Sequence, residues 1–291
     1  MDPTRRIIDF QMGGSIILLH FDEDTGAADT QDGLPPFGWI RHTDGLFVDS
    51  SSNDHQVGRT ARVDPPYDYE NPKIAGGGKF GKCVEASNGG EIYWPHHETM
   101  NLRGGDFTSS LWFKADQLGD WYWNDKGMAF AVTLRYPFAP ANYSIELRFG
   151  LADPTITNPG SGYGWGEYPP GTVPYLYIYL KLQHGLLDPY YAEIKGTSTV
   201  AAGVWHHLAM VRKGAFLYLY FNGALEASYE VGPAFWLESE VLPAPAVWER
   251  DFHTIYLTTS WDDFIHFDEF NIQKGVLFDG PFTPPTGPYA L

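Results

Sequence analysis

A sandwich of two antiparallel β-sheets is the fold predicted for this chain of 291 residues, on three observations. Short segments of period two recur along its length. Glycine and proline, 32 and 22 residues, punctuate them at close intervals, and helical periodicity is scarce. Hydrophobic residues make up 43% of the chain, enough for a real core and too many for a disordered one.

Residues 1–14 read as an arm, with Arg6–Phe10 able to pair at a sheet edge. One domain is expected over 15–291. Ile16–Phe21 is apolar at nearly every position and reads as a buried strand. Gly33–Gly78 is rich in Pro, Gly, Asp and Ser, so loops are expected to dominate it. Glu91–Trp94 and Ser109–Lys114 alternate like half-buried strands, and Gly127–Arg135 with Tyr143–Gly150 form the next pair. Leu151–Pro174 is a second long loop. In Tyr175–Gln183, Leu176, Ile178, Leu180 and Leu182 are expected to face the core, and Tyr175, Tyr177 and Tyr179 to form an outer ladder. Tyr191–Lys195 is a further short strand.

Trp205–Gly223 organises the rest. Trp205, His207, Ala209 and Val211 share one face, and His206, Leu208, Met210 and Arg212 the other. Trp205 is expected to be buried beneath this hairpin. Phe216–Phe221 is apolar on both faces, which suits a strand covered on both sides. Asn222-Gly223 is a strong hairpin signal, because both positions tolerate positive φ, and Ala224–Val231 returns. Residues 232–251 form a third insertion; Thr254–Thr258, Ile265–Gln273 and a proline-rich tail close the chain.

The net charge of −17 argues against gripping nucleic acid, which needs a Lys/Arg patch, and against an anionic membrane surface. No stretch is long and apolar enough to insert in a membrane. Asp9, Gln11, Gly13 and Gly14 interrupt the N-terminal apolar run, so no signal peptide is read there. The single cysteine, Cys83, excludes an intrachain disulfide and is expected in a buried strand. Folding in a reducing cytoplasm is the expectation.

Trp205-His206-His207 before an apolar strand, then Leu217-Tyr218-Leu219-Tyr220-Phe221-Asn222-Gly223, resembles the laminin-G-like, concanavalin-A-like jelly-roll family. Other signposts stand in the family's order. They are Leu18–Asp22, Asp49–Asn53, Lys79–Cys83, Gly105–Thr108, Leu111–Lys114, Phe267–Ile272 and Phe282–Thr286. The resemblance implies a jelly-roll sandwich, with segments of about 34–75, 151–174 and 232–251 inserted into it. The closing strand and tail are similar to copies in bacteriophage virion proteins, which implies a virion location.

Glycoside hydrolases of this fold need two carboxylates at a set spacing on one strand. Asp268-Glu269 and Glu238-Ser239-Glu240 are the nearest candidates, and neither has the Glu-x-Asp-x-x-Glu spacing of β-glucan hydrolases. No nucleophile elbow or phosphate loop is present, so no catalytic residue is assigned. His206 and His207 point to opposite faces and read as structural; His96-His97 has no ligand partner in the sequence. The resemblance places calcium at one edge of the sandwich. Asp22 and Asp24 after the first strand would hold it together with Asp268 and Glu269. Calcium rests on ligand type alone, and the favoured alternative is solvated carboxylates with Asp268 capping a turn, so no cofactor is required.

Aromatic loop residues are the most unusual feature. Trp39, Trp121, Trp123, Tyr163, Trp165, Trp236 and Trp248 suit both sugar C–H faces and protein interfaces. The function expected is a non-enzymatic virion structural protein, a capsid decoration, fibre or tail-associated subunit. Its partners would be other virion proteins or its own copies in a homo-oligomer, with adhesion to cell-surface glycan as an added capacity. A lectin-like carbohydrate-binding module of a bacterial protein is the alternative, and a glycoside hydrolase the third.

Overall fold

The computed structural model describes residues 15–22, 31–32, 39–42, 47–55, 57–64, 67–68, 72–87, 90–95, 97–100, 102, 105–116, 128–138, 143–152, 175–183, 190–231, 253–259 and 264–289. Strands β1 (Ser15–Leu19), β2 (Gln31–Asp32), β3 (Trp39–His42), β4 (Gly58–Asp64), β5 (Tyr67–Asp68) and β6 (Lys73–Gly76) come first. They are followed by β7 (Lys82–Ala86), β8 (Glu91–Pro95), β9 (Phe107–Ala115), β10 (Met128–Phe138), β11 (Tyr143–Ala152) and β12 (Tyr175–Gln183). The last six are β13 (Tyr190–Lys195), β14 (His206–Lys213), β15 (Phe216–Phe221), β16 (Ala224–Glu230), β17 (His253–Thr259) and β18 (Ile265–Lys274).

Two sheets result. The eight-stranded sheet runs β16-β15-β14-β9-β18-β7-β6, with β1 also on β18; the ten-stranded sheet runs β13-β12-β11-β10-β17-β8-β4-β3-β2, with β5 on β4. All the pairings are antiparallel. The core lies between the sheets. Phe113 on β9 meets Phe130 on β10 at 4.7 Å, Phe130 meets Phe267 at 5.3 Å, and Trp94 on β8 meets Phe270 at 5.1 Å. Leu208, Met210, Leu217, Leu219 and Phe221 join the same core. Each such side chain removed from water contributes about 1.5–3 kcal/mol.

The organising hairpin forms as the sequence predicts. Asn222 and Gly223 sit at φ 48° and 82°, and the paired strands match Leu208 to Phe221. The inner face is the one carrying Leu208 and Met210. The opposite face, with Ala209, Val211 and Tyr220, is covered by the C-terminal tail through Phe278. In the tail Phe278 and Phe282 stack at 3.7 Å, and Phe282 N donates to Gly223 O at 2.9 Å.

That tail accounts for one departure. Ser109–Lys114 alternates like a half-buried strand, yet in β9 only Lys114 is not buried. Leu277 N donates to Thr108 Oγ1, and Tyr289 OH pairs with Ser110 Oγ, so the outer hydroxyls of Thr108 and Ser110 are roofed and satisfied. Tyr177 departs similarly: it belongs to the expected outer ladder but is fully buried, as are Leu176 and Ile178 on the core side. Gly33–Gly78, expected to be mostly loop, carries β3, β4, β5 and β6. These strands pair through backbone groups at the periphery, where no apolar alternation is needed to hold a ladder. The arm 1–14 and the long segments 153–174 and 232–252 lie outside the described residues.

Candidate functional site

Strand β18 closes the sandwich and carries adjacent carboxylates. Its register with β9 shifts between Asp268 and Asn271, and Glu269 sits there at φ 51°. At this bulge β18 exchanges one edge partner for another, β7 up to Phe267 and β1 from Phe270. A bulge re-aims the side chains beside it. Both carboxylates end up 1% exposed, turned toward backbone amides.

Asp268 Oδ2 accepts from Phe80 N at 3.0 Å and its Oδ1 from Glu269 N at 2.9 Å. Glu269 Oε2 accepts from Tyr289 N at 2.7 Å, and its Oε1 lies 2.8 Å from His20 Nδ1. Asp22 Oδ1 accepts from Lys82 N at 2.7 Å. The loop between β6 and β7 lies close against these acids: a Cβ on Gly78 would come within 3.0 Å of Asp268 Oδ2 and 2.0 Å of Lys82 O. The three described residues of the expected calcium set therefore each hold separate backbone amides. Asp24 lies outside the described residues, among which no group of three or more His, Cys, Asp or Glu is placed to hold a metal.

Burial, with the charge of Glu269 adding to it, pushes the Asp268 carboxyl up to about 7 against the amides that favour its charged form. Burial by itself would lower the His20 imidazole, but the bond and charge of Glu269 overcome it and the net shift is upward. A raised carboxyl keeps a proton in the folded state that the unfolded chain releases, so its effect on stability falls as pH rises from about 4 to about 7. The difference in melting temperature between Asp268→Asn and the parent should shift in the variant's favour as pH rises from about 4 to about 7, on top of a pH-independent loss from the one backbone amide that asparagine cannot accept. Thermal unfolding across that range measures it; a gap independent of pH would show that Asp268 does not titrate there.

A thiol, an imidazole and a carboxylate also line up on this face. Cys83 Sγ lies 3.7 Å from His266 Nδ1, and His266 Nε2 lies 2.9 Å from Asp116 Oδ2. The order resembles a nucleophile relay, but the thiol is fully buried and desolvation pushes it up to about 11. A thiol held protonated is a poor nucleophile, so Cys83 reads as a packed strand residue, as expected of it.

His207 is structural, as the sequence suggests, but it is buried beneath the C-terminal tail on the outer face of the eight-stranded sheet and not in the core between the sheets. Its Nε2 lies 3.2 Å from Tyr289 OH, its rings face Trp112 and Phe278, and burial pushes it down to about 3. His97 Nδ1 and His55 Nε2 each lie 2.9 Å from the Thr99 hydroxyl. His96 lies outside the described residues. Trp205 differs from expectation: it precedes β14 and is half-buried on the outer face. The core side of the hairpin is filled by His206, Leu208 and Met210, which leaves Trp205 beyond the roof formed by the tail.

Of the aromatic binding residues expected, Trp39 is in β3, where it pairs with Arg62 and only its backbone is described. Trp121, Trp123, Tyr163, Trp165, Trp236 and Trp248 lie outside the described residues. Nothing in the sequence marks Tyr289, Trp112, Lys114, Asp116 and His266 as site residues. Outward positions of a strand carry no marker of what will cover them.

A family model described as the concanavalin A-like lectin/glucanases superfamily matches residues 87–243, more than half of the chain. No curated protein matches the sequence. Among solved structures, the binding domain of Paraclostridial Mosquitocidal Protein 1 is similar at a TM-score of 0.49 and 14% identity, over 91% of this chain and 49% of that one. The Botulinum neurotoxin serotype G binding domain is similar at 0.44 and 9%, over 90% and 48%. Domain 4 of AbnA, a GH43 extracellular arabinanase from Geobacillus stearothermophilus, in complex with arabinotriose, is similar at 0.42 and 17%, over 81% and 88%. The chain spans about half the length of the two toxin chains.

Proposed function

This chain belongs to the concanavalin A-like lectin/glucanases superfamily, and from that premise we propose that it is a carbohydrate-binding module without hydrolytic activity. The observation that carries the choice is the state of the carboxylates on the closing strand. A retaining or inverting glycosidase needs one acid and one base or nucleophile open to the glycosidic bond. Asp268 and Glu269 are instead 1% exposed and hold the amides of Phe80, Glu269 and Tyr289. They fasten a loop and the C-terminal tail to the sandwich.

The test offers the purified chain a panel of neutral polysaccharides, xylan, mannan, galactan, arabinan and β-glucan, in affinity electrophoresis. A reducing-sugar assay runs on the same mixtures. Retardation without new reducing ends is the expected result. Release of reducing ends at a steady rate would replace this reading with a hydrolase.

A structural place on a bacteriophage particle is the second reading. It rests on the resemblance read from the sequence in the closing strand Phe267–Ile272 and tail Phe282–Thr286, and on the acidity of the chain, which suits high local copy number. The two readings are compatible, since a glycan-binding subunit on a particle would be both.

A further inference from the structure

We propose, resting on the carbohydrate-binding reading above, that Trp205, Lys114 and Asp116 form the sugar subsite, at the end of the eight-stranded sheet that the tail leaves open, and that it takes a neutral saccharide unit.

The register places these groups together. His206 pairs with Phe113 and Phe113 with Phe267, a rung whose side chains enter the core. One residue on, Lys114 pairs with His266; one residue back, Trp205 precedes β14, so all three project from the outer face. Tail residues Phe278, Phe282 and Tyr289 lie against the neighbouring rung at His207, while Trp205 stays half-buried and Asp116 exposed.

The cluster is compact. Lys114 Nζ lies 5.6 Å from the Trp205 ring centroid, and the His266 ring lies 6.5 Å from it. His266 Nε2 holds Asp116 Oδ2 at 2.9 Å, while Asp116 Oδ1 is only 3.7 Å from Lys114 Nζ. Asp116 is 44% exposed and Lys114 21%. Phe264 and Val204, 41% and 48% exposed, flank the group, and they are two of four large exposed hydrophobics among the described residues. Asp116 N donates to Phe264 O and Gly203 N to Ala115 O, so both flanking loops are tied to the end of β9.

A sugar ring presents an apolar C–H face on one side and hydroxyls around its rim. The half-buried indole matches the first. The rim needs an acceptor fixed in direction and a cation close by, which Asp116, oriented by His266, and Lys114 provide. The Lys114–Asp116 contact is long and its carboxylate is exposed, so hydroxyls can insert there at little cost. The net charge of −17, with Glu85 opposite His266 on β7, disfavours an anionic sugar.

The experiment measures binding of the whole chain to whichever panel polysaccharide retards it, by isothermal titration. Trp205→Ala and Asp116→Asn are compared with Phe216→Ser, a control at the far edge of the same sheet. Both site variants should weaken binding about tenfold or more, and the control should stay within about twofold of the parent. Near-ultraviolet circular dichroism establishes that each variant is folded; if Trp205→Ala is not, Asp116→Asn, at an exposed position, decides. Binding by the parent that both site variants retain would overturn this subsite and leave the module reading intact. Polygalacturonan, an anionic polysaccharide, is titrated in parallel, and binding confined to it would overturn the neutral-sugar assignment. A parent chain that binds no glycan would overturn both.

Discussion

Replacing Phe113 with alanine should destabilise the protein by about 3–5 kcal/mol, the range for emptying a large aromatic site in a packed core. Phe113 is fully buried on β9, a central strand of the eight-stranded sheet. Its ring touches both layers, with Phe130 at 4.7 Å across the sandwich and His206 and Phe221 at 5.6 and 6.5 Å within its own sheet. Partners on two sheets cannot collapse together into the space without moving a strand, so the cavity would persist. Urea unfolding measures the effect as a lower midpoint with an unchanged slope. A loss under about 1 kcal/mol would mean that the two sheets do not meet at this ring. Trp205→Ala should cost less, since its indole is only half-buried.

Gly223→Ala should destabilise by about 2–4 kcal/mol, although it adds a single methyl group. Two penalties coincide. The residue sits at φ 82°, which L side chains adopt at a cost of about 1–2 kcal/mol. Its Cβ would fall 1.8 Å from the carbonyl oxygen of Phe282, which is backbone and cannot rotate aside. The tail must then lift, breaking the Phe282 N to Gly223 O bond and loosening Phe282 from Tyr220 and Phe278. Gly214→Ala separates the two penalties, because Gly214 has φ 57° but open space around its Cβ. Its loss should be limited to the conformational part. Differential scanning calorimetry gives the stabilities, and limited proteolysis reports whether the 275–289 tail is released. Equal losses at the two glycines, with the tail protected in both, would show that the contact with Phe282 does not hold the tail down.

These two residues were not equally readable. Phe113 belongs to an alternating apolar run, so its burial follows from period two. The Asn222-Gly223 turn is equally plain, since positive φ at both positions is a local requirement. That Gly223 also lies under the backbone of Phe282 is not local, because the two are far apart in the chain and nothing in either segment names the other. The candidate site follows the same division. Asp268 and Glu269 stand out in the sequence as adjacent acids on the closing strand. Whether they hold an ion, a substrate or the backbone depends on the 77–82 loop and on Tyr289, whose amide fills Glu269. Trp205 departs from expectation for a related reason: period two assigns it a face, but not which face the second sheet covers.

What the sequence determined by itself is the set of local properties. These are the strands β9, β12, β14, β15 and β18, the hairpin turn, the burial of Cys83 and the acidity that disfavours nucleic acid. Each rests on alternation, turn chemistry or net charge, all of which are read within a few residues or summed over the chain. Tertiary structure alone decided which outer face is roofed. The described part of the tail covers His207 and Ser110, while Trp205 and Lys114, farther along the same face, stay partly exposed. Coverage depends on where a distant segment comes to lie. An outward-pointing residue has the same sequence signature under a roof as in water, so only the assembled sandwich separates buried structural polar groups from those left open to bind.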